Sequence, residues 1–381
     1  MLLNDYRPVY VIGIGLHRYQ AATETSYVQL GVTAVREALA DAGMEWSSVE
    51  AAYTGTTRLG MAVSRPMLRH LGATGIPMTQ VENASASSSS AFRLACRDVA
   101  AGFSDVVLAA GVDKAGKVNR GEQLTGIAPH DGGLVVPSVH YALLAEEYMR
   151  ASNVGEEAIA RVAVKNHLNG SKNPYAHRQR ERSLDEVLGD RPIAGSLKRL
   201  ECCPIGEGAS AVLVVSDDAI DRLGLDRSRA VQVLSSTQRS EELYGAKSFD
   251  VELTKTTTEQ SLAEAGIRAE QLDVVELHDA FAIEELQYTE AMGLCGQGQA
   301  SRELANGEFA IGGRVAISPS GGLLAMGHPI GPTGVGQIAE ITRQLRGEAG
   351  PRQQPNSTYG LAHLVGLGAV CVVHVLAAAG R

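Results

Sequence analysis

The chain has 381 residues, 44% of them hydrophobic and 4% aromatic, with 42 glycines and a formal net charge of −9. That is ample for a large core, as two similar domains or one with an insertion, and the negative charge argues against nucleic acid as a bulk partner, which would require basic surface. The five cysteines (Cys96, Cys202, Cys203, Cys295 and Cys371) form no Cys-x-x-Cys pair. They read as reduced thiols of a cytoplasmic protein, with neither a disulfide framework nor a metal site. No apolar run reaches membrane-spanning length and the N-terminus lacks a signal-peptide profile, so no membrane association is expected.

Val9 to Gly15 reads as a first buried strand; Arg18 stands where a dinucleotide fingerprint would need its third glycine. Tyr27 to Ala42 has helical spacing and stops at Gly43. Ala51 to Thr54 is a short strand. The small, polar run Gln80 to Ser90 leads to a helical pattern from Ala91 to Ala101, and Asp105 to Gly111 returns as a strand. Strand and helix alternate, which predicts a parallel sheet covered by helices. From Lys114 to Leu200 the rhythm breaks at Gly132-Gly133, Pro137 and Pro174. Two helical patterns lie there, Tyr141 to Ser152 and Glu156 to Asn169, and the most basic segment of the chain runs through Lys165-Asn166-His167, Lys172-Asn173-Pro174 and His177 to Arg182.

Ala211 to Val215 is the next strand. A similar series follows: a strand from Arg227 to Ser236, a helix from Thr257 to Ala265, a strand from Val274 to Leu277, and a closing strand from Val365 to Val375. Between the last two lies Ser318 to Gln337, with six glycines and three prolines around a single His328, feeding a helix from Val335 to Leu345. Glycine at this density is useful where backbone must approach a ligand or take positive φ. A lone histidine on such a turn is more often structural than catalytic. A second motif, Glu276-Leu277-His278-Asp279-Ala280-Phe281, lies upstream.

Gly327-His328-Pro329 and His278-Asp279-Ala280-Phe281, in this order and spacing, resemble the signatures of the thiolases, in particular the sterol-carrier-protein type. The resemblance runs over nearly the whole chain. It implies an α/β thiolase fold: two duplicated βαβαβαββ-type halves in α/β/α/β/α layers, with an inserted loop domain. The halves would be residues 1–115 with 201–226, and 227–381; residues 116–200 would cover the coenzyme A site. It implies thiolytic cleavage of a β-keto-acyl-CoA, with coenzyme A as a substrate and no covalently bound cofactor.

The family's nucleophilic cysteine falls on Ser85, at a helix N-terminus where the macrodipole and free N–H groups favour a thiolate or an oxyanion. His328 would activate that nucleophile. His278 would hold the thioester oxygen of the enolate. The N–H groups of Ser85 and Gly366 would form the other oxyanion hole. Asn83, Ser320, Gly321 and His363 would line or support the site, and Arg178 and Arg180 would meet the nucleotide end of coenzyme A.

Departures from the family pattern matter as much. The acid–base cysteine is absent both near Leu364 and at Ala280, and Ser318 and Pro332 replace the usual Asn and Ala. Three functions therefore stand side by side: a thiolase with serine at the nucleophile position, a retro-aldol lyase on the same fold without a covalent intermediate, and a non-catalytic acyl-CoA-binding subunit. The His-Asp-Ala-Phe variant also resembles two-subunit thiolases, such as benzoylsuccinyl-CoA thiolase, which work with a small zinc-ribbon and OB-fold partner. The resemblance implies that partner and at least a homodimer.

Overall fold

A computed structural model of the chain describes residues 3–115, 136–242, 249–367 and 369–379. Gly132-Gly133, Gly368 and part of the covering segment lie outside them. Ten strands form one mixed sheet in the order β10-β9-β11-β12-β8-β1-β7-β4-β2-β3. The first half contributes β1 (Val9–Gln20), β2 (Ala51–Gly55), β3 (Met78–Val81), β4 (Val106–Asp113) and β7 (Glu207–Ser216); the second contributes β8 (Val231–Ser240), β9 (Val274–Glu276), β10 (Ala316–Ile317), β11 (Tyr359–Gly366) and β12 (Val370–Ala377). Read outward from the centre, each half repeats one order: first strand, last strand, then the fourth, second and third. The halves join through two residue pairs, Tyr10–Gln232 and Val11–Val231.

The sheet is not all parallel. β2 runs parallel to β3 and β4, and β9 to β10 and β11. β7 pairs antiparallel with β1 and β4, and β12 with β8 and β11. β4 and β7 are buried along their whole length, as strands covered on both faces must be. The closing strand expected over Val365 to Val375 is a hairpin instead: β11 ends at Gly366, the chain turns at Leu367 with φ 52°, and β12 starts at Val370.

Helix α1 (Tyr27–Ala42) has the predicted bounds. Ser26 and Gln29 form a capping box, and Gly43 closes it at φ 64°. It covers β1 and β7 from outside. The central helices are α3 (Ser87–Ala101) and α12 (Thr333–Arg346), which pack on one another and on the inner faces of the two halves. α8 (Phe249–Ala265) covers β8 and β12 and starts earlier than periodicity suggested.

Between them in chain order come α2 (Ser64–Leu68), α4 (Pro137–Ser152), α5 (Glu156–Ser171), α6 (Leu184–Leu188), the small β5–β6 hairpin (Pro192–Ala194, Leu197–Lys198) and α7 (Asp217–Leu223). The second half adds α9 (Ala282–Ala291), α10 (Ala300–Ala305) and α11 (Gly322–Ala325). The inserted segment buries Leu144, Tyr148, Ile159, Ala163 and Leu200 in the same core as Val275, Leu277 and Leu286. It is thus packed on the second half. Among the described residues no helix is long and apolar enough to cross a membrane.

Candidate active site

The N-terminus of α3 begins four residues before the predicted helix, at Ser87. Serine is a weak helix former because its hydroxyl competes for backbone groups. Here each of the four buried serines has another task. Ser87 Oγ donates to the Ala84 carbonyl (2.6 Å) and accepts from Asn83 N–H (3.0 Å). Ser88 Oγ accepts from Val335 N–H at 3.1 Å, Ser89 Oγ lies 2.9 Å from His374 Nε2, and Ser90 Oγ accepts from the Asn83 amide at 2.9 Å. Small side chains are required, because α3 and α12 nearly touch: a Cβ on Gly334 would lie 2.6 Å from the Ser89 nitrogen. The result is a rigid turn, Asn83-Ala84-Ser85, with Ala84 at φ 49°.

Half-buried Ser85 sits at the end of that turn. Its Oγ lies 2.9 Å from His328 Nε2, across 243 positions of sequence. His328 Nδ1 lies 2.9 Å from Thr333 Oγ1, at the first residue of α12. The loop carrying His328 is held from both sides. His328 N–H donates to the Pro204 carbonyl, and Gly331 N–H donates to Asp113 at the end of β4. The same Asp113 carboxylate accepts from Thr56, Thr57 and Arg58. Burial, with His278 and Arg58 nearby, holds the His328 imidazolium well below the usual histidine range. The ring is therefore neutral at pH 7, with Nε2 able to take a proton.

His278 stands at right angles to His328, ring centroids 5.5 Å apart. Its Nδ1 lies 3.0 Å from Glu284 Oε1, and its buried Nε2 has no protein partner. Gly366 closes the third side. A Cβ there would lie 2.3 Å from the Asn83 carbonyl oxygen, so only glycine lets the β11–β12 turn meet the Ser85 turn. Ser85, His278, His328 and Gly366 thus converge. They can activate a hydroxyl or thiol and place N–H groups and a ring nitrogen around a carbonyl.

The other sequence-selected residues lie behind this group. Asn83 braces the Ser85 turn. The Ser320 N–H and hydroxyl donate to Glu276 at 2.8 and 2.7 Å. Gly321, at φ 107°, packs against Gly170 of α5. His363 is fully buried beneath His278, with Nε2 2.9 Å from Thr254 Oγ1 and Nδ1 accepting from His278 N–H. Arg178 directs its guanidinium at the Cys202 and Leu324 carbonyls, and exposed Arg180 pairs with Glu186. Arg178 therefore pins the inserted segment to α11.

Motif reading gave no role to Thr333, Glu284 or Asp113, and it put Lys165 in the basic segment expected to meet the nucleotide end of coenzyme A, whereas the structure buries it against Glu285. Lys165 of α5 is 8% exposed and lies 3.0 Å from Glu285; Asn166 beside it donates to Asp279 and Glu285. This cluster fixes the loop that carries His278. The spacing of Glu284, six residues after His278 and at the first turn of α9, was the one available signal. Among the described residues no group of three His, Cys, Asp or Glu is placed to hold a metal.

A family model for the thiolase N-terminal domain matches residues 14–218, and one for the thiolase C-terminal domain-like family matches residues 235–378. Sterol carrier protein 2 of Gallus gallus is 35% identical over 396 residues, covering 97% of this chain and 72% of the relative. Benzoylsuccinyl-CoA thiolase subunit BbsB of Thauera aromatica is 34% identical over 375 residues, covering 95% of each. The solved Ltp2-ChsH2(DUF35) aldolase superposes with a TM-score of 0.84 at 25% identity, covering 98% of each chain. Two family models that together take in both halves of the sheet, and relatives aligned over nearly all of it, lead to one conclusion: this chain belongs to the thiolase family.

Proposed function

We propose that the chain cleaves a β-keto-acyl-CoA thiolytically, with Ser85 taking the place of the family's nucleophilic cysteine. The observation that carries this reading is the 2.9 Å hydrogen bond between Ser85 Oγ and the neutral His328 Nε2 at the N-terminus of α3. His328 takes the hydroxyl proton as the oxygen attacks the β-keto carbonyl. The N–H groups of Ser85 and Gly366 receive the developing oxyanion, and His278 Nε2 faces the thioester oxygen of the leaving enolate. Coenzyme A then resolves the acyl-enzyme, and no bound cofactor takes part. Asn83, Ser320, Gly321 and His363 hold these groups in register, and Arg180 offers a cation to the nucleotide end.

A second reading is favoured by one observation. A hydroxyl forms its anion far less readily than a thiol, so the same histidines would serve retro-aldol cleavage without acyl transfer. The structural neighbour Ltp2-ChsH2(DUF35) is titled an aldolase. That neighbour's DUF35 component, and the subunit status of BbsB, also support a small zinc-ribbon and OB-fold partner for this chain, on top of a homodimer.

The test pairs the unmodified chain with Ser85→Cys, each given a panel of β-keto-acyl-CoA esters with and without free coenzyme A, followed by intact mass and product analysis. Thiolysis predicts an acyl adduct and coenzyme A-dependent turnover, strongest in the cysteine variant. Cleavage by the serine form without coenzyme A would replace the acyltransferase reading with the lyase. Binding without cleavage by either form would leave a non-catalytic binding subunit.

A further inference from the structure

We propose that His278, oriented by Glu284, is the acid–base group at the substrate α-carbon, the task left open by the alanine at position 280. The proposal rests on the thiolase reading above and assigns its missing proton carrier. His278 Nε2 is buried and lacks a protein partner, and the ring lies 5.5 Å from that of His328, centroid to centroid. On its other side Glu284 Oε1 is 3.0 Å from Nδ1, which keeps a proton on Nδ1 and leaves Nε2 as the atom that gains and loses one. Glu284 is itself fixed. Its Oε2 accepts from Phe281 N–H at 2.7 Å, and the Tyr288 hydroxyl lies between Glu284 Oε1 (3.1 Å) and Asp250 Oδ2 (2.8 Å).

Among the described residues, the charged and titratable groups around His278 and Glu284 include Tyr288 of α9, Tyr141 of α4, Asp250 of α8, His363 of β11, His328, Cys203 and the adjoining Asp279. The nearest, Glu284, compensates the imidazolium that forms when Nε2 takes a proton. The thiol competitor is poorly suited. Cys203 meets Ala280 through its backbone N–H, but burial and the Glu284 carboxylate push its thiol far above the usual range.

The protons balance over one turnover. His278, left as the imidazolium by the coenzyme A thiol of the preceding turnover, or by solvent in the first, meets the enolate oxygen through Nε2–H and gives that proton to the α-carbon as the electron pair of the broken C–C bond arrives there. Neutral His278 then takes the thiol proton of coenzyme A, whose sulfur attacks the acyl-enzyme. The departing Ser85 oxygen recovers its proton from His328.

The test is α-proton exchange of acetyl-CoA and propionyl-CoA in deuterium oxide, read by mass spectrometry. Exchange needs neither Ser85 acylation nor C–C cleavage, so it can succeed where thiolysis fails and fail where thiolysis succeeds. The unmodified chain is expected to exchange. His278→Ala is expected to lose about a hundredfold and to regain part with added imidazole; His278→Gln serves should the alanine form not fold. Glu284→Gln is expected to lower the maximal rate about tenfold at unchanged KM for the acyl-CoA, and to abolish the single Nδ1–H tautomer of His278 in nitrogen NMR. No exchange by the unmodified chain, undiminished exchange without His278, or an unchanged rate and tautomer in Glu284→Gln would each overturn the proposal.

Discussion

The Ser85 hydroxyl and the Thr333 hydroxyl occupy opposite ring nitrogens of His328, each at 2.9 Å. If Nε2 is to accept from Ser85, Nδ1 must carry the proton and donate it to Thr333. Thr333→Val keeps the shape and removes that acceptor. Leaving a buried N–H unpaired costs about 1–3 kcal/mol, and the wrong tautomer becomes accessible. Acyl-adduct formation by Ser85→Cys should slow at least about tenfold when Thr333→Val is added. Single-turnover mass kinetics on the two proteins measures this, and equal rates would remove Thr333 from the site.

Gly366→Ala should injure stability and chemistry together. The new Cβ would lie 2.3 Å from the Asn83 carbonyl oxygen, which already accepts from Ala86 N–H. A backbone oxygen cannot rotate away, so the two turns must part. A loss of about 1–3 kcal/mol is expected, with a fall in cleavage of about a hundredfold as an oxyanion donor moves. Denaturant titration and initial rates on one sample would show both effects, and full activity would sever Gly366 from the oxyanion hole.

Lys165→Met tests the support beneath His278. The ammonium lies 3.0 Å from Glu285 and also donates to the Ile317 carbonyl and to Asn166. Removing the cation leaves Glu285 and Asp279 buried together, and Asp279 is already pushed well up by burial and by Glu285. The expected loss is about 3–5 kcal/mol. Lys165→Met combined with Glu285→Gln should recover part of it, and a double variant no better than the single would contradict the pairing.

Acid should weaken the fold through its buried histidines. Burial lowers His167 to about 4 and His374 to about 3, and holds His328 and His363 well below their usual value. Their folded values lie under the unfolded value of about 6.5, so the unfolded chain binds protons first as pH falls. The stability they contribute is complete above about pH 6.5 and is lost on acidification, through a window reaching about 4 for His167 and about 3 for His374. Each histidine inside its window contributes a slope of about 1.4 kcal/mol per pH unit. Urea unfolding at pH 7.5 and 5.5 should differ accordingly, and His374→Gln should reduce the slope by about one proton. Buried Glu201 and Glu276, raised to about 7 and about 8, act in the opposite sense over the same span, so the His374→Gln difference is the decisive reading, and an unchanged slope in that variant would mean that this ring takes up its proton alike in the folded and unfolded chains.

The sequence by itself determined many of the local elements and the candidate site positions. Apolar residues at helical spacing and the stop at Gly43 suffice to place α1, because helical periodicity and a left-handed cap act within a few residues. The Gly-His-Pro and His-Asp motifs marked His328 and His278, and the departures at Ser85 and Ala280 were visible without coordinates. The tertiary structure decided what depends on distant partners. The serine run became helix because α12 lies against it, the last strand became a hairpin at Leu367, and the sheet became mixed through β7 and β12. The hydrogen-bond partners of the histidines were likewise hidden. Ser85 and His328 are 243 positions apart, and Gly331 and Asp113 are 218. Such hydrogen bonds leave no periodic trace in the chain, since they arise only when separately folded turns are pressed together.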